Sequence, residues 1–548
     1  MSLHNPVGRL RTRLAAVALA PVISVGLAAA ALPAATVAPA GAAGGIVPLL
    51  QAAPSVAGQD GWGSGTAGQE ACVTPSPVYH FEVFHCYAPQ DIRSAYGVDG
   101  VAALATPEDG YTTNYGQGQT IVLVDSYGSP TAASDLDYFH TTFFPSLPAP
   151  NFTEVYPEGN PQCKNTQGNG QSGCAAAAGW SGEATLDIEW AYSIAPLAHL
   201  ILIGVPPAET EGVQGLPNMF KAISAQIQQD PPGTLFSMSF GVTEQTFEGA
   251  AATQTAKFDQ VFQQGLAKDD NFFNATGDYG TYNAAKQKKD TTNYPYPTVG
   301  WPATSPYVVA VGGTQLQYGW TWDPSSDTAF TDSGAYNPDY WSSTTTGNTE
   351  AVWNESWAPI AGNGGASVIY PRPSWQSGID TSLGNARLIP DTSWNAAVNG
   401  GVLVYISAYP GYNCPALPDG STPPACWQVY GGTSAATPQT TALVALANTA
   451  RAADGKAPLG FLDPLLYGGI GAADYRDITP VSEGTAPATF QGSDVGVGTV
   501  TKSVGDLVDN QLWEVSVAGY PTTTGWDATT GWGSPEAPQF VAALASSP

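Results

Sequence analysis

The stretch TIVLVDSYGSPTAASDLDYFHTTF, residues 120–143, sets a short continuous apolar run beside a helix-spaced one. Thr120–Val124 lacks polar alternation, as expected of a parallel strand covered on both faces, and Ala132–Phe143 has the spacing of a helix. The same pairing recurs along the chain. His199–Val205, Thr234–Phe240, Asn271–Ala275, Tyr307–Gly312 and Gly401–Ser407 read as further strands, and Leu186–Ile194, Pro217–Gln229 and Ala251–Ala267 as helices between them. Strand–helix alternation predicts an α/β fold with a doubly wound, mainly parallel sheet. The Trp-, Ser-, Thr- and Asn-rich stretch 320–385 reads as long loop insertions on the same domain, and no internal repeat is visible.

Composition narrows the function. The 548 residues carry 17 Lys+Arg against 45 Asp+Glu, a formal charge of −28. A nucleic-acid binder needs cations to displace counterions, and this chain has few. A disordered acidic tail is excluded by 43% hydrophobic and 11% aromatic residues. With so few bases the chain acquires only modest positive charge in acid, where most proteins unfold by self-repulsion. The length admits one large α/β domain or two to three ordinary ones.

Arg9, Arg11 and Arg13 precede an Ala/Val/Leu-rich run, and small residues then offer cleavage sites near Ala38–Ala42. That pattern predicts a signal peptide over 1–42 and a secreted protein, with no membrane attachment after cleavage. Residues 43–85 read as a loose N-terminal extension and 86–548 as the folded domain. Export agrees with six cysteines in close sequence pairs, Cys72 with Cys86, Cys163 with Cys174 and Cys414 with Cys426.

Chemistry concentrates in a few segments. In GGTSAATP, 431–438, Ser434 precedes a helix-like stretch, Gln439–Ala450, with Pro438 expected in the first turn. A serine there would expose its hydroxyl beside unpaired backbone N–H groups, which suits a nucleophile whose oxyanion needs donors. Its usual base would be histidine, but only His4, His80, His85, His140 and His199 exist, none in a protease-like context. Asp125 ends the first strand with no histidine to orient. The other candidate base lies in GEATLDIEWAYSIAP, 182–196. Glu183 and Asp187 would share a helix face one turn apart, with Glu183 expected in the first turn. Paired carboxyls split their pKa values by sharing a proton. A glycosidase also uses two carboxyls, but on opposite sides of a sugar, which adjacent turns of one helix do not allow.

GEATLDIE, FFNATGDYG (272–280) and GGTSAATP, taken in that order, resemble the sedolisins, the serine-carboxyl peptidases. VVAVGGT (308–314), PRPSWQ (371–376), YRDIT (475–479) and GWDATTGWGSP (525–535) extend the likeness from about Cys86 to the C-terminus. The resemblance implies a subtilisin-like fold and a secreted, acid-active endopeptidase, working as a monomer on protein or peptide substrates. It implies Ser434 as nucleophile, Glu183 as general base, Asp187 as its orienter and Asp278 as a protonated donor to the oxyanion. It also implies one structural calcium ion (Ca2+), held by Asp477, Asp527 and the carbonyls of Ile478, Thr523 and Gly525; Thr523 stands where a glycine is usual.

This chain departs from the family pattern in places. The extension before Cys86 is too short for the large prodomain common among sedolisins. Phe240, in SMSFG, takes the place of a tryptophan often found at the substrate-binding edge, and insertions at 320–350 and 408–428 are expected to reshape the cleft. The rival readings are a catalytically inactive binding module and a tripeptidyl-peptidase-type exopeptidase.

Overall fold

The computed structural model describes residues 47–48, 51–52 and most of 86–548. Within that span 105–109, 160–170, 207–212, 286–291, 323–340, 356–359, 415–420, 480–499, 506–511 and a few shorter gaps are left out. The signal-like segment 1–42 therefore lies outside the described residues, as do Cys72 and Cys163.

The central sheet is built from β1 (Thr120–Ser126), β2 (Phe152–Val155), β3 (His199–Val205), β4 (Leu235–Met238), β5 (Asn271–Ala275), β6 (Val309–Trp322), β7 (Trp341–Val352) and β8 (Thr392–Asn395). Its order is β7-β6-β5-β4-β1-β3-β2, with β8 also on β6. Every pairing is parallel except β6 with β7. Helices α1 (Ala132–Phe143), α2 (Gln171–Ile194), α3 (Leu216–Gln229), α4 (Ala251–Leu266) and α5 (Thr433–Ala453) cover it.

The doubly wound reading follows from where alternate side chains go. Ile121 and Leu123 of β1 and Leu200 and Leu202 of β3 enter a core shared with α2 and α5. Val122, Val124, Ile201 and Ile203 enter a second core shared with α3 and α4. An apolar run without alternation is what a strand buried on both faces requires.

The structure corrects the sequence reading in three places. Gly401–Ile406 is not in the central sheet; it pairs antiparallel with Cys426–Gly431 and parallel with Cys86–Tyr87. The stretch read as loops from 320 contains the antiparallel partner of β6, residues 341–352, whose Thr and Trp content favours strands. The extension contributes two short strands: Val47–Pro48 pairs with Phe240–Thr243, and Gln51–Ala52 with the end of Cys426–Gly431. Cys414 and Cys426 form a disulfide, and Cys86 is also disulfide-bonded. Among the described residues no helix is long and apolar enough to cross a membrane.

Candidate active site

Helix α2 begins at Gln171, so Glu183 lies in its interior and not in the first turn. Ala175–Ala178 carries the helix N-terminal of Gly182, and the dipole argument for Glu183 therefore does not apply. The shared face does hold. Glu183 and Asp187 are both fully buried, and Asp125 reaches them from the C-terminal end of β1. Carboxyl oxygens of Asp125, Glu183 and Asp187 all lie within 4.8 Å of one another. Burial pushes all three well above the usual carboxylate range. The neighbouring charges of Asp187 and then Asp125 raise Glu183 further, and that of Asp125 raises Asp187. Two hydroxyls pull the other way, Ser434 on Glu183 and Ser239 on Asp187. Ser239 Oγ donates to Asp187 Oδ1 at 2.9 Å.

Ser434 is the second residue of α5, which starts at Thr433, six residues before the expected helix. Pro438 is thus inside the helix, where its missing N–H leaves the Ser434 carbonyl without the usual partner in the next turn. The Ser434 side chain is fully buried, not exposed as its sequence position suggests. Cys426–Gly431, the strand leading into its turn, and Phe240–Thr243 each receive an added strand from the extension. Phe240 itself is fully buried in the second core.

Asp278 sits in the turn after β5. Its Oδ1 accepts from the Thr433 N–H at 2.8 Å and the Thr433 hydroxyl at 2.9 Å, while Gly277 N–H donates to Thr433 Oγ1 at 3.0 Å. The ATGDYG turn is therefore tied to the first residue of the helix bearing Ser434, and the Asp278 charge also acts on Glu183. The two described histidines of the fold serve elsewhere: His140 Nδ1 meets the Tyr192 hydroxyl at 2.6 Å and His199 Nε2 meets Thr153 Oγ1 at 3.1 Å.

Sequence reasoning missed the contact of Asp125 with the pair and the supporting roles of Ser239 and Thr433. A signal existed for the first. Asp125 ends β1 where the strand order reverses, between β3 and β4, and such switch points open crevices at strand C-termini.

Four of the five residues expected at the calcium site are linked in pairs. Asp477 Oδ2 accepts from Gly525 N–H at 2.8 Å, and Asp527 Oδ2 accepts from Thr523 N–H at 3.0 Å. Asp527 Oδ1 holds Thr529 and Thr530 N–H at 2.9 and 2.8 Å. Burial pushes Asp527 up to about 6 and also raises Asp477. A buried and a less buried carboxyl against one loop offer the hard oxygen atoms that a calcium-sized cation takes.

No protein-family model matches the chain. It is 27% identical over 435 residues to kumamolisin of Bacillus sp. (strain MN-32), covering 75% of this chain and 62% of that protein. It is 28% identical over 386 residues to tripeptidyl-peptidase sed4 of Aspergillus fumigatus, covering 65% and 53%. The chain thus spans under two thirds of the length of either relative. Among solved structures it is similar to Pseudomonas sedolisin, a serine-carboxyl proteinase complexed with pseudo-iodotyrostatin. The TM-score is 0.54 at 22% identity, over 84% of this chain and 98% of that one.

Proposed function

We propose, from the premise that the chain belongs to the sedolisin family with its subtilisin-like fold, that it is an acid-active serine-carboxyl peptidase. One observation carries the reading. Ser434, Asp278 and the Glu183–Asp187 pair, drawn from three separate segments of the chain, meet at the N-terminus of α5, with the Ser434 hydroxyl stabilising the Glu183 charge. Assembly of the whole set argues against an inactive binding module.

The chemistry follows the serine-protease scheme with carboxyls replacing imidazole. Ser434 Oγ attacks the scissile carbonyl carbon while Glu183 takes its proton. Asp187, itself protonated, holds the Glu183 carboxylate in place. The carbonyl oxygen becomes an oxyanion facing the first turn of α5, where the helix dipole is positive, and receives a hydrogen bond from protonated Asp278. Glu183 then passes its proton to the departing amine, leaving an acyl ester on Ser434. Water enters with Glu183 again as base, and the ester is hydrolysed. The base must be ionised while two neighbouring carboxyls stay protonated, so the window is acidic.

Calcium, held by Asp477, Asp527 and the carbonyls of Ile478, Thr523 and Gly525, would supply charge compensation that fixes the C-terminal loops. The Arg-led, Ala-rich N-terminal segment supports export.

Digestion of a denatured protein from about pH 3 to about pH 8, with Ser434→Ala as control, tests the reading. Cleavage confined to acid and lost in the variant is expected; cleavage surviving Ser434→Ala overturns it. Mass spectrometry of the products separates internal cuts, our reading, from release of tripeptides, the activity named in the Aspergillus relative.

A further inference from the structure

The strand Gly401–Ile406 has one edge that no strand completes. Its other edge pairs antiparallel with Cys426–Gly431, while on this one Cys86–Tyr87 reaches only Gly401 and Val402 among the described residues. Beyond Val402, side chains meet the backbone instead. Trp190 Nε1 donates to the Leu403 carbonyl at 2.8 Å, the Tyr405 N–H donates to Glu189 Oε2 at 3.0 Å, and the Ser407 N–H donates to Asp135 Oδ2 at 3.1 Å. Alternate residues of a strand aim their backbone groups at the same edge, so 403, 405 and 407 offer what a further strand would bind. Buried side chains of α2 and α1 stand in its place.

The helix at this seam carries the acidic pair, and the strands lead to the nucleophile. Glu183, Asp187 and Trp190 follow at spacings of four and three, along one face of α2. Leu403 lies opposite Val429 and Tyr405 opposite Trp427, and Cys426–Gly431 runs into the turn that bears Ser434. We propose that Glu189 and Trp190 are positioning residues that set the distance between Ser434 and Glu183, by docking the paired strands 401–406 and 426–431 on α2. Asp135 extends the seam onto α1. The inference rests on the peptidase reading, and both residues act through these elements and not on the substrate. Burial holds the Glu189 carboxyl well above the usual range, so in acid it is uncharged and its part is to accept the Tyr405 N–H.

Glu189→Leu keeps the bulk but offers no acceptor. Its kcat should fall about tenfold to a hundredfold, as for a misplacement of up to ~1 Å, with KM within about twofold. Glu189→Gln presents an amide oxygen to Tyr405 and should keep kcat near that of wild type. Trp190→Phe keeps a ring without the donor and should lower kcat by less than Glu189→Leu. Ile227→Ala, in the second core on α3, is the comparison for lost stability alone and should keep kcat well below its melting temperature. Amide exchange at Tyr405 reads the seam without turnover: fast in Glu189→Leu, slow in Glu189→Gln and wild type. A Leu variant as fast as wild type, a Gln variant as slow as Leu, an Ile227→Ala kcat reduced as far as that of Glu189→Leu, or unchanged exchange in the Leu variant overturns the proposal. Should Glu189→Leu not fold, an unchanged kcat in Trp190→Phe overturns it. Wild type inactive on peptides, with the exchange pattern as expected, would instead sink the peptidase reading and leave the docking intact.

Discussion

Asp278 spends one carboxyl oxygen on the first residue of helix α5. Oδ1 takes both the N–H and the hydroxyl of Thr433, so a proton needed by the oxyanion belongs on Oδ2. Raising the pH strips that proton and turns a donor into a negative charge facing the oxyanion. Asn keeps an acceptor for Thr433 and donates from its amide at any pH. Asp278→Asn should therefore lose activity in acid yet show a variant-to-wild-type ratio of kcat/KM that climbs as pH rises. Asp278→Ala removes both the donor and the anchor of Thr433. Its kcat should fall by roughly 10²–10³ or more, the cost of one oxyanion donor. Steady-state kinetics across the acid range check both, and an Ala variant as fast as wild type would remove Asp278 from the mechanism. At the neighbouring carboxyl, Asp187→Asn should flatten the acid optimum, because an amide cannot share a proton with Glu183.

The turn into α5 is fixed by two glycines. A Cβ on Gly431 would lie 2.5 Å from the Ala396 carbonyl oxygen and 2.7 Å from that of Ala397, and Gly432 has φ 101°. Gly431→Ala must therefore push the turn, and Ser434 with it, away from Glu183. Overpacking of this kind costs about 1–3 kcal/mol, while misplacement by ~1 Å can cost about 10²-fold in rate. A variant with a modest drop in melting temperature but a kcat lower by more than tenfold is expected; full activity would show that the turn tolerates the shift. These elements also show what the sequence could tell. The spans of β3 and β5 were legible residue for residue, because each carries a short apolar run without alternation, Leu200–Val205 and Phe272–Phe273, as a strand buried on both faces requires. The start of α2 was not. Gly179, Ser181 and Gly182 are weak helix formers, and only burial against the core and α5 holds them helical. Pro438 misled for the same reason: it marks a first turn by propensity, but packing carries α5 back to Thr433. Of the candidate site, the four residues proposed for catalysis stand out through their motifs, whereas Asp125 and Ser239 become neighbours of Asp187 only when β1, β4 and α2 assemble.

Across the whole molecule, buried carboxyls couple stability to pH, and calcium should oppose part of that dependence. Burial pushes Asp259 up to about 6 and Asp270 up to about 7, and holds the Asp125–Glu183–Asp187 cluster higher than ordinary carboxyls. In the unfolded chain such groups titrate near about 4. Between about pH 4 and the raised folded values the native state holds more protons than the unfolded one, so stability falls as pH rises. Each such group contributes up to about 1.4 kcal/mol per pH unit within its window. A net charge of −28 adds repulsion in the same direction. In EDTA the melting temperature should thus be highest at or below about pH 4 and drop toward neutrality; a monotonic rise to pH ~7 would contradict the burial of these groups. The proposed calcium would bind only ionised Asp477 and Asp527 and only in the folded state, where both carboxyls turn onto the 523–527 loop. Protons compete with it for those oxygens. Added calcium should therefore raise the melting temperature more near pH 7 than near pH 4, partly cancelling the decline, with little change in kcat once folded. At a free concentration a hundredfold above Kd the gain is about 2.7 kcal/mol. Asp527→Asn removes one carboxylate and should abolish most of the calcium-dependent increment, and it should also lower the EDTA curve, because the amide nitrogen cannot accept from the N–H groups that both Asp527 oxygens now hold. Melting curves that coincide with and without calcium at every pH would remove the ion from this site.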